Sequence, residues 1–235
     1  DEITDRNPER YSTPEYFSLM KTFATTSTRT PKDQFHFSQS TEEFHEQSQG
    51  GIFADYGATF AILSALPPRK IVVAYTEPDS PATRAPASLA RGAEIISIDG
   101  ANVIDGSATV LNQGLFPATL GETHAFVVGD LGASQTRAFS MTSATVTSAS
   151  VQHVRVLDTA TGRIGYLLFN DHFATAERQL IDAFAALKAA GVSDLVLDLR
   201  YNSGGYLAIA SEVAFMIAGR VATSGQAFEE TKFNS

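Results

Sequence analysis

An apolar run that leads into a polar turn with two glycines constrains the fold of this chain more than any other feature. Residues 194–205 read DLVLDLRYNSGG, and residues 175–190 before them carry apolar side chains at helical spacing. A nearly continuous apolar strand is the form expected where helices cover both faces of a parallel sheet. With the strand pattern RIGYLLFN at residues 163–170, the order predicts a β-α-β crossover, which is right-handed in almost all proteins.

Three regions of different character divide the chain. Residues 51–150 contain short β-rich runs separated by Gly, Pro, Asp and Asn, which predicts a small β-rich domain. Residues 151–235 contain longer strand and helix patterns, which predict an α/β domain. Residues 1–50 are polar, with short helical patterns at 14–23 and 40–47. The predicted fold class is a multidomain α+β chain with a helical N-terminal segment.

Side chains that favour helix caps predict two further helix starts. Thr41 precedes two glutamates, so its hydroxyl is expected to cap a helix with an acidic first turn. In the β-rich region Ser80 precedes a proline and Gly92 follows eleven residues of the form PATRAPASLAR. That pattern predicts a short helix over residues 81–91.

The composition excludes several classes of function. The 26 acidic and 17 basic side chains give a formal net charge of -9, which repels phosphate, so no nucleic-acid partner is expected. The absence of cysteine excludes disulfides, thiolate catalysis and cysteine-ligated zinc. No apolar run is long enough to span a bilayer. The chain starts DEITDRNPER, with no initiator methionine and no signal-peptide pattern, so we expect that a preceding segment has been removed.

Gly204 and Gly205 are the first candidates for a functional role. Glycine permits positive φ angles and close approach of another chain, and the helix that follows has unpaired N–H groups at its start. Such a turn can hold an oxyanion or a phosphate, although many strand-to-helix turns need glycine for geometry alone. The motifs GxxxxGK[ST] and GxGxxG are both missing here, so no nucleotide cofactor is predicted.

Other polar residues near the turn have simpler explanations. Asp198 and Arg200 are expected to form a structural ion pair, and Asn202 and Ser203 are expected to be turn residues. Asp171-His172 could be an acid/base pair, but adjacent side chains on an extended backbone point apart, so a solvated loop is favoured. The five histidines show no ligand spacing, so no metal site is predicted.

Taken together, these features resemble the tail-specific, or C-terminal processing, serine peptidases. Residues 163–170, the helix that ends before Gly191 and the turn DLRYNSGG are similar to that family's strand-helix-strand and D-L-R-x-N-x-G-G turn. The family match implies a core of the ClpP/crotonase type.

A second stretch resembles the PDZ module of the same family. Residues 77–100 read EPDSPATRAPASLARGAEIISIDG, with Ala93-Glu94 where Gly-Asp is usual, and YGATF at residues 56–60 looks like the carboxylate-binding loop. The resemblance covers about residues 51–235, and residues 1–50 look like the family's helical lead-in.

The resemblance implies a mechanism in which a serine attacks a peptide carbonyl and a buried neutral lysine acts as base. It assigns Gly204 and Gly205 to the oxyanion hole, where losing one donor costs roughly 3 kcal/mol of transition-state stabilisation. It implies protein or peptide partners with free C-termini, bound by strand addition, and for a bacterial member a periplasmic or extracytoplasmic location. The substrate-binding residues that it implies are Tyr56, Gly57, Ala58, Thr59 and Phe60.

The sequence departs from the family where the nucleophile is expected. A serine segment of the type G-x-x-x-S-A-x-E, with a lysine further on, should follow well after the double glycine, and no such segment with a lysine beyond it is found in the thirty residues after Gly205. Ser211-Glu212 echoes that segment but lies inside the predicted helix. We therefore interpret the chain as the front portion of a peptidase and expect it to be inactive as given.

Two other functions remain open at the level of the sequence. The β-rich region could be a peptide-binding module with the α/β region as a scaffold. An acyl-CoA enzyme of the crotonase type also uses a Gly-Gly oxyanion turn, although the PDZ-like segment argues against it. Fold similarity does not decide among the three, because function belongs to sites.

Overall fold

The structure is a computed structural model that describes residues 6–27, 32–33 and 36–232. It divides into two compact units, Asp1–His45 and Glu46–Ser235. Within the described ranges, no helix is both long enough and apolar enough to cross a bilayer.

In its described residues, the first unit contains two short α-helices whose starts are set by serine caps. α1 spans Thr13–Leu19 and is capped by Ser12. α2 spans Thr41–His45, and Ser40 and Glu43 exchange hydrogen bonds between side chain and backbone in both directions. The prediction that Thr41 caps this helix is wrong by one residue, because the reciprocal S-x-x-E capping pattern begins at Ser40.

The second unit begins with a turn of π-helix at Glu46–Gly50 and a two-stranded antiparallel ribbon. Strand β1, Ile52–Asp55, pairs with a strand almost ninety residues later, and Phe53 lies opposite Val146. The chain therefore enters and leaves the intervening residues through the same ribbon.

The residues between the ribbon strands form a β-rich module, residues 58–142, around one hydrophobic cluster. The sheet order is β2-β3-β4-β6-β7, with β5 paired to β4, so β2 lies at an edge of the sheet. Alternating residues on β6 and β7, such as Phe126 and Phe139, face the cluster, as a half-buried sheet requires. The elements are β2 Ala58–Ser64, β3 Lys70–Thr76, β4 Glu94–Ile98, β5 Ala101–Asn102, α3 Ala108–Leu115, β6 Thr123–Gly129, β7 Thr136–Thr142, and then the second ribbon strand β8 Ala144–Thr147.

The helix predicted over residues 81–91 is wrong. The segment forms a series of turns, in which Ala82 donates to the Tyr56 carbonyl and Leu89 donates to the Ala82 carbonyl. Pro86 lies in its middle, where a proline has no N–H to donate and its ring crowds the preceding turn. The cap and terminator patterns were present, but the interior could not continue a helix.

The rest of the chain forms an α/β module, residues 151–223. The parallel pairing of its second and third strands confirms the predicted crossover, with Leu168 opposite Asp198. Gly191, at φ +72, ends the crossover helix as predicted. The elements are β9 Val151–Thr159, β10 Gly162–Phe169, α4 Ala176–Ala189, β11 Asp194–Asp198 and α5 Leu207–Thr223, the last with a kink at Gly219.

Both helices of this module contribute to one hydrophobic cluster. Leu167 and Phe169 of β10 pack there with Leu180 of α4 and Val213 of α5. Val196 of β11 points to the opposite face by strand alternation and is half-exposed. The expectation that helices cover both faces of the sheet is therefore wrong within the part of the chain that the structure describes.

Candidate active site

The glycine turn, residues 199–206, connects β11 to α5 and lies beside the end of β10. Because β10 and β11 run in parallel, both strands end at the same edge of the sheet. Ligands of α/β proteins bind outside the carboxyl ends of such strands. The sequence thus brings the turn next to Asn170 and Asp171, which follow β10 directly.

The predicted ion pair anchors the first part of the turn. The Arg200 guanidinium lies 2.5 Å from the Asp198 carboxylate, and the Tyr166 hydroxyl donates to the same carboxylate at 2.7 Å. The hydrogen bonds from Arg200 hold the pKa of Asp198 well below its ordinary value. Asp198 is buried and Arg200 is mostly exposed, so the pair fixes the end of β11 at the protein surface.

Asn202 is the turn-forming residue that the sequence predicted. Its Nδ2 donates to the Phe169 carbonyl at 3.0 Å, and its Oδ1 accepts from the Gly204 amide at 3.0 Å. The backbone of the next residue adds a third bond, since the Ser203 amide donates to the Asn170 carbonyl at 2.9 Å. These bonds hold the turn against the end of β10.

Gly204 and Gly205 have left-handed φ angles of +91 and +132, but their surroundings differ. A Cβ atom on Gly204 would meet open space, whereas one on Gly205 would lie 2.8 Å from the His172 carbonyl oxygen. His172 pairs with the turn in parallel fashion, donating to the Gly204 carbonyl at 2.7 Å and accepting from the Tyr206 amide at 3.0 Å. Gly205 therefore needs to be glycine for close packing as well as for its backbone angle.

The two glycine amides also differ in availability. The Gly204 amide is engaged by Asn202, whereas the Gly205 amide makes no hydrogen bond within the described ranges and the residue is exposed. Of the two donors that the sequence predicted for an oxyanion, only that of Gly205 is free in this arrangement.

Asp171 and His172 do not form a solvated loop, so that interpretation is wrong. Asp171 is buried and accepts a hydrogen bond from the Ser203 hydroxyl, while the His172 ring stacks on Phe169 with centroids 4.8 Å apart. Burial lowers the pKa of His172 and raises that of Asp171. The bridge to the glycine turn covers this segment, which its local sequence does not reveal.

The segment predicted to bind a substrate carboxylate, residues 56–60, forms the entry to β2. The amides of Tyr56 and Gly57 both donate to the Asp55 carboxylate. Gly57 has φ +74, and a Cβ atom there would lie 2.3 Å from the Ser80 Cβ. The Tyr56 ring is fully buried against Phe126, so this side chain belongs to the core.

A cavity of about 290 Å³ lies where the start of β2 meets the ends of β3, β8 and β10. It brings the predicted loop close to the glycine turn, because both contribute to its wall. Three carboxyl groups from separate parts of the chain also line it. The residues concerned are Gly57, Ala58 and Thr59 of the loop, Ser203 of the turn, and the carboxyl groups of Asp55, Glu77 and Asp171.

Burial dominates the electrostatics of this cavity. It raises the pKa of Glu77 to about 7 and raises the pKa of Asp55 and Asp171 above their ordinary values. Hydrogen bonds from backbone amides and from Ser148 and Ser203 partly oppose the effect. Among the described residues, none of these three carboxyl groups takes part in an ion pair, and no group of His, Cys, Asp and Glu side chains is arranged to hold a metal ion.

Reasoning from the sequence missed Asp55 and Glu77 and dismissed Asp171. Asp55 is the last residue of β1, whereas Glu77 and Asp171 lie just past the ends of β3 and β10, and all three positions are shared with many ordinary turn residues. The one available signal was that Asp55 directly precedes residues 56–60, assigned to substrate binding, and that Glu77 begins the PDZ-like stretch of residues 77–100.

Comparison with known families identifies the C-terminal part of the chain. The sequence model of peptidase family S41 matches residues 163–232. The match begins at β10 and includes the glycine turn and α5. The family predicted from the sequence is therefore confirmed for this segment. Curated protein sequences give no match.

Several solved structures are similar to the chain. A candidate S41 protease from Bacteroides fragilis has a TM-score of 0.50 and 22% identity, and the match covers 87% of this chain and 59% of that chain. The photosystem II D1 C-terminal processing protease has a TM-score of 0.45 and 24% identity over 71% of this chain and 44% of that one. A PDZ domain protein from Parabacteroides distasonis has a TM-score of 0.33 and 15% identity, covering 63% and 39%. Of these three, only the similarity to the Bacteroides fragilis structure supports a shared mixed α/β fold. The chain spans about half the length of the two protease structures.

Proposed function

We propose that this chain, whose residues 163–232 match peptidase family S41, is part of a serine peptidase that cleaves polypeptides held by their C-termini. The observation that carries the proposal is the family match across the glycine turn, in which the Gly205 amide is exposed and unbonded within the described ranges. An N–H in that state can donate to the oxygen of a scissile carbonyl as negative charge develops on it. We assign neither the nucleophilic serine nor the basic lysine to a residue of this chain.

In this proposal the two glycines have different roles. Gly205 supplies the oxyanion donor, whereas Gly204 lets the turn form and gives its own amide to Asn202. The hydrogen bond from the Asn202 side chain to the Phe169 carbonyl holds the turn against the end of β10. The free Gly205 amide therefore keeps its direction without a substrate. This assignment narrows the donor pair expected from the sequence to one residue.

The β-rich module, in the same proposal, is a PDZ-type domain that binds the substrate. Its strand β2 is an edge strand, so one row of backbone groups is available to an added peptide strand. Gly57, Ala58 and Thr59 at the start of β2 line the cavity and are the proposed carboxylate-binding residues, with Tyr56 and Phe60 as their structural support. The proposed domains are residues 1–50, 51–150 and 151–235, and the proposed location is extracytoplasmic.

Activity of the full reading frame tests the oxyanion assignment. Alanine at position 205 keeps the N–H, but its Cβ would lie 2.8 Å from the His172 carbonyl oxygen, so the backbone must shift and the donor with it. Gly205→Ala is therefore expected to lower kcat/KM for a peptide substrate by about 100-fold or more, as loss of one oxyanion donor does elsewhere. Gly204→Ala is the matched control, because it also places alanine at a left-handed φ angle, whereas its Cβ would meet open space and its amide is already engaged. Circular dichroism spectra of both variants check that the fold is kept. Equal losses in the two folded variants would contradict the assignment to Gly205.

A peptide-binding module without catalysis is the second candidate, and the open edge of β2 favours it. Fluorescence anisotropy with a labelled apolar peptide, carrying either a free carboxylate or a C-terminal amide, tests the binding that both candidates need. We expect amidation to weaken binding by at least about tenfold, or 1.4 kcal/mol. Binding of the free-acid peptide with no turnover by the full reading frame would favour the module over the peptidase.

A further inference from the structure

Two buried carboxyl groups meet at one serine where the β-rich module joins the α/β module. Glu77 follows β3, and Asp171 follows β10. The Ser148 hydroxyl oxygen, just after β8, lies 3.3 Å from Glu77 Oε1 and 3.4 Å from Asp171 Oδ2. All three residues are less than 10% exposed. The two modules therefore touch through a contact between acids, with one hydroxyl group between them.

The remaining oxygens of the two carboxyl groups already have donors. Glu77 Oε2 accepts from the Ala149 amide at 2.8 Å and from Gln152 Nε2 at 3.1 Å. Asp171 Oδ1 accepts from the Ser203 hydroxyl. Only Glu77 Oε1 and Asp171 Oδ2 compete for the single proton of Ser148.

One added proton satisfies every oxygen in this arrangement. If Glu77 Oε1 carries the proton, it donates to the Ser148 oxygen, and the Ser148 hydroxyl donates to Asp171 Oδ2. If both carboxyl groups are ionised, one of them faces Ser148 without a donor, and two like charges lie close together in a poorly hydrated site. The geometry therefore favours a state with one shared proton.

The charged and titratable groups around this contact do not offer a replacement for the proton. Asp55 lines the same cavity and adds negative charge. His172 follows Asp171, and burial lowers its pKa, which favours the neutral ring. Tyr75 stays neutral, because burial raises its pKa to about 12.

We propose that Glu77 and Asp171 share one proton through Ser148, and that this proton couples the β-rich module to the glycine turn. The link to the turn is the bond from Ser203 to Asp171, one residue before Gly204. The rings of Tyr75 and Tyr201 make a second contact between the same modules, with centroids 5.3 Å apart. The claim that this coupling regulates catalysis rests on the proposed function. The claim that it holds the two modules together does not.

The direction of the pH response follows from the burial of these acids. The pKa of Glu77 rises on folding from its ordinary value of 4.5 to about 7. Its stabilising contribution is therefore fully present below about pH 4.5 and is lost as the pH rises through about 7. The modules should be held together most tightly in mildly acidic solution and should separate more readily in mildly alkaline solution.

Hydrogen exchange measured by mass spectrometry tests the proposal on the whole chain without substrate. From about pH 5.5 to about pH 8.5, after correction for intrinsic exchange, protection of residues 146–150 and 203–206 should fall at least about fivefold in the wild type. Glu77→Gln should abolish most of this fall, because a carboxamide can donate to Ser148 at any pH while its oxygen accepts from Ala149. Glu94→Gln is the matched control, since Glu94 lies on β4 of the same module and pairs with Lys70 at the surface.

Ser148→Ala is a second test variant, and it is a smaller chemical change than Glu77→Gln. It removes the shared hydroxyl without changing charge, and it should lower protection of both segments already at about pH 5.5. A wild type whose corrected exchange does not change with pH would overturn the proposal, as would a Glu77→Gln profile identical to that of Glu94→Gln. Because these measurements need no turnover, their outcome is independent of whether the chain belongs to an active peptidase.

Discussion

At the scale of single residues, Asp198 offers a direct test of how the glycine turn is anchored. Its carboxylate accepts from both Arg200 and Tyr166, and its pKa lies well below the ordinary value of 3.8. A carboxyl group with a lowered folded pKa stabilises the fold above the ordinary value and loses that contribution as the pH falls. Asp198→Asn should therefore lower the free energy of unfolding by about 1 to 3 kcal/mol at neutral pH.

Urea unfolding followed by circular dichroism measures this difference across pH. The deficit of Asp198→Asn should shrink below about pH 4, because there the Asp198 carboxylate takes up a proton more readily in the unfolded chain than in the folded protein. Tyr166→Phe is the control, because it removes a neutral donor and leaves the Arg200 pair in place, so the wild-type acid response should persist. A deficit for Asp198→Asn that stays constant into acid would contradict the ion-pair explanation.

Single residues also show why the sequence predicts some site features and misses others. The Asp198–Arg200 pair and the Asn202 turn are local in sequence, and both were predicted from the motif itself. The free amide of Gly205 depends on which neighbour takes the Gly204 amide, and its tight packing depends on His172. Spacing along the chain carries no information about contacts of that kind.

At the scale of elements, α4 packs one face against the hydrophobic cluster and leaves the other face exposed. Leu180 is fully buried, whereas Ile181 beside it is 43% exposed. Leu180→Ala should lower the free energy of unfolding by about 2 to 5 kcal/mol, because it leaves a cavity among packed side chains. Ile181→Ala should change it by less than about 1 kcal/mol.

The same pair of variants controls for helix propensity, because both place alanine at neighbouring positions of one helix. Urea midpoints and slopes give the two free energies. Similar losses for Leu180→Ala and Ile181→Ala would mean that a further surface packs on the outer face of α4.

The elements that the sequence predicted correctly are those with a clear period. Residues 151–198 follow strand and helix periods closely, and the parallel pairing of β10 with β11 is confirmed. The helix prediction for residues 81–91 failed because the start and end signals of a helix were present, whereas Pro86 prevents a continuous helix between them. The acidic cavity was missed because its carboxyl groups lie at the ends of three different strands and meet only in the folded chain.

At the scale of the whole molecule, the unit Glu46–Ser235 contains two hydrophobic clusters joined by polar contacts. One cluster lies in the β-rich module and the other in the α/β module. Between them run the β1–β8 ribbon, the contact of Glu77 with Ser148 and Asp171, and the Tyr75–Tyr201 ring pair. Modules joined in this way can unfold together or separately, depending on the strength of the polar contact.

Destabilising one module should reveal whether the shared proton transmits stability to the other. Leu111 of α3 is 2% exposed in the β-rich cluster, and Leu111→Ala should raise hydrogen exchange throughout residues 58–142 at any pH. Near pH 5.5 the increase should extend into residues 163–198, whereas near pH 8.5, above the pKa of about 7 for Glu77, it should stop at the ribbon. With Glu77→Gln added, the increase should reach residues 163–198 at both pH values, because the carboxamide keeps the contact closed. An increase that spreads equally far at both pH values in Leu111→Ala alone would show that the ribbon and the ring pair couple the modules without the proton.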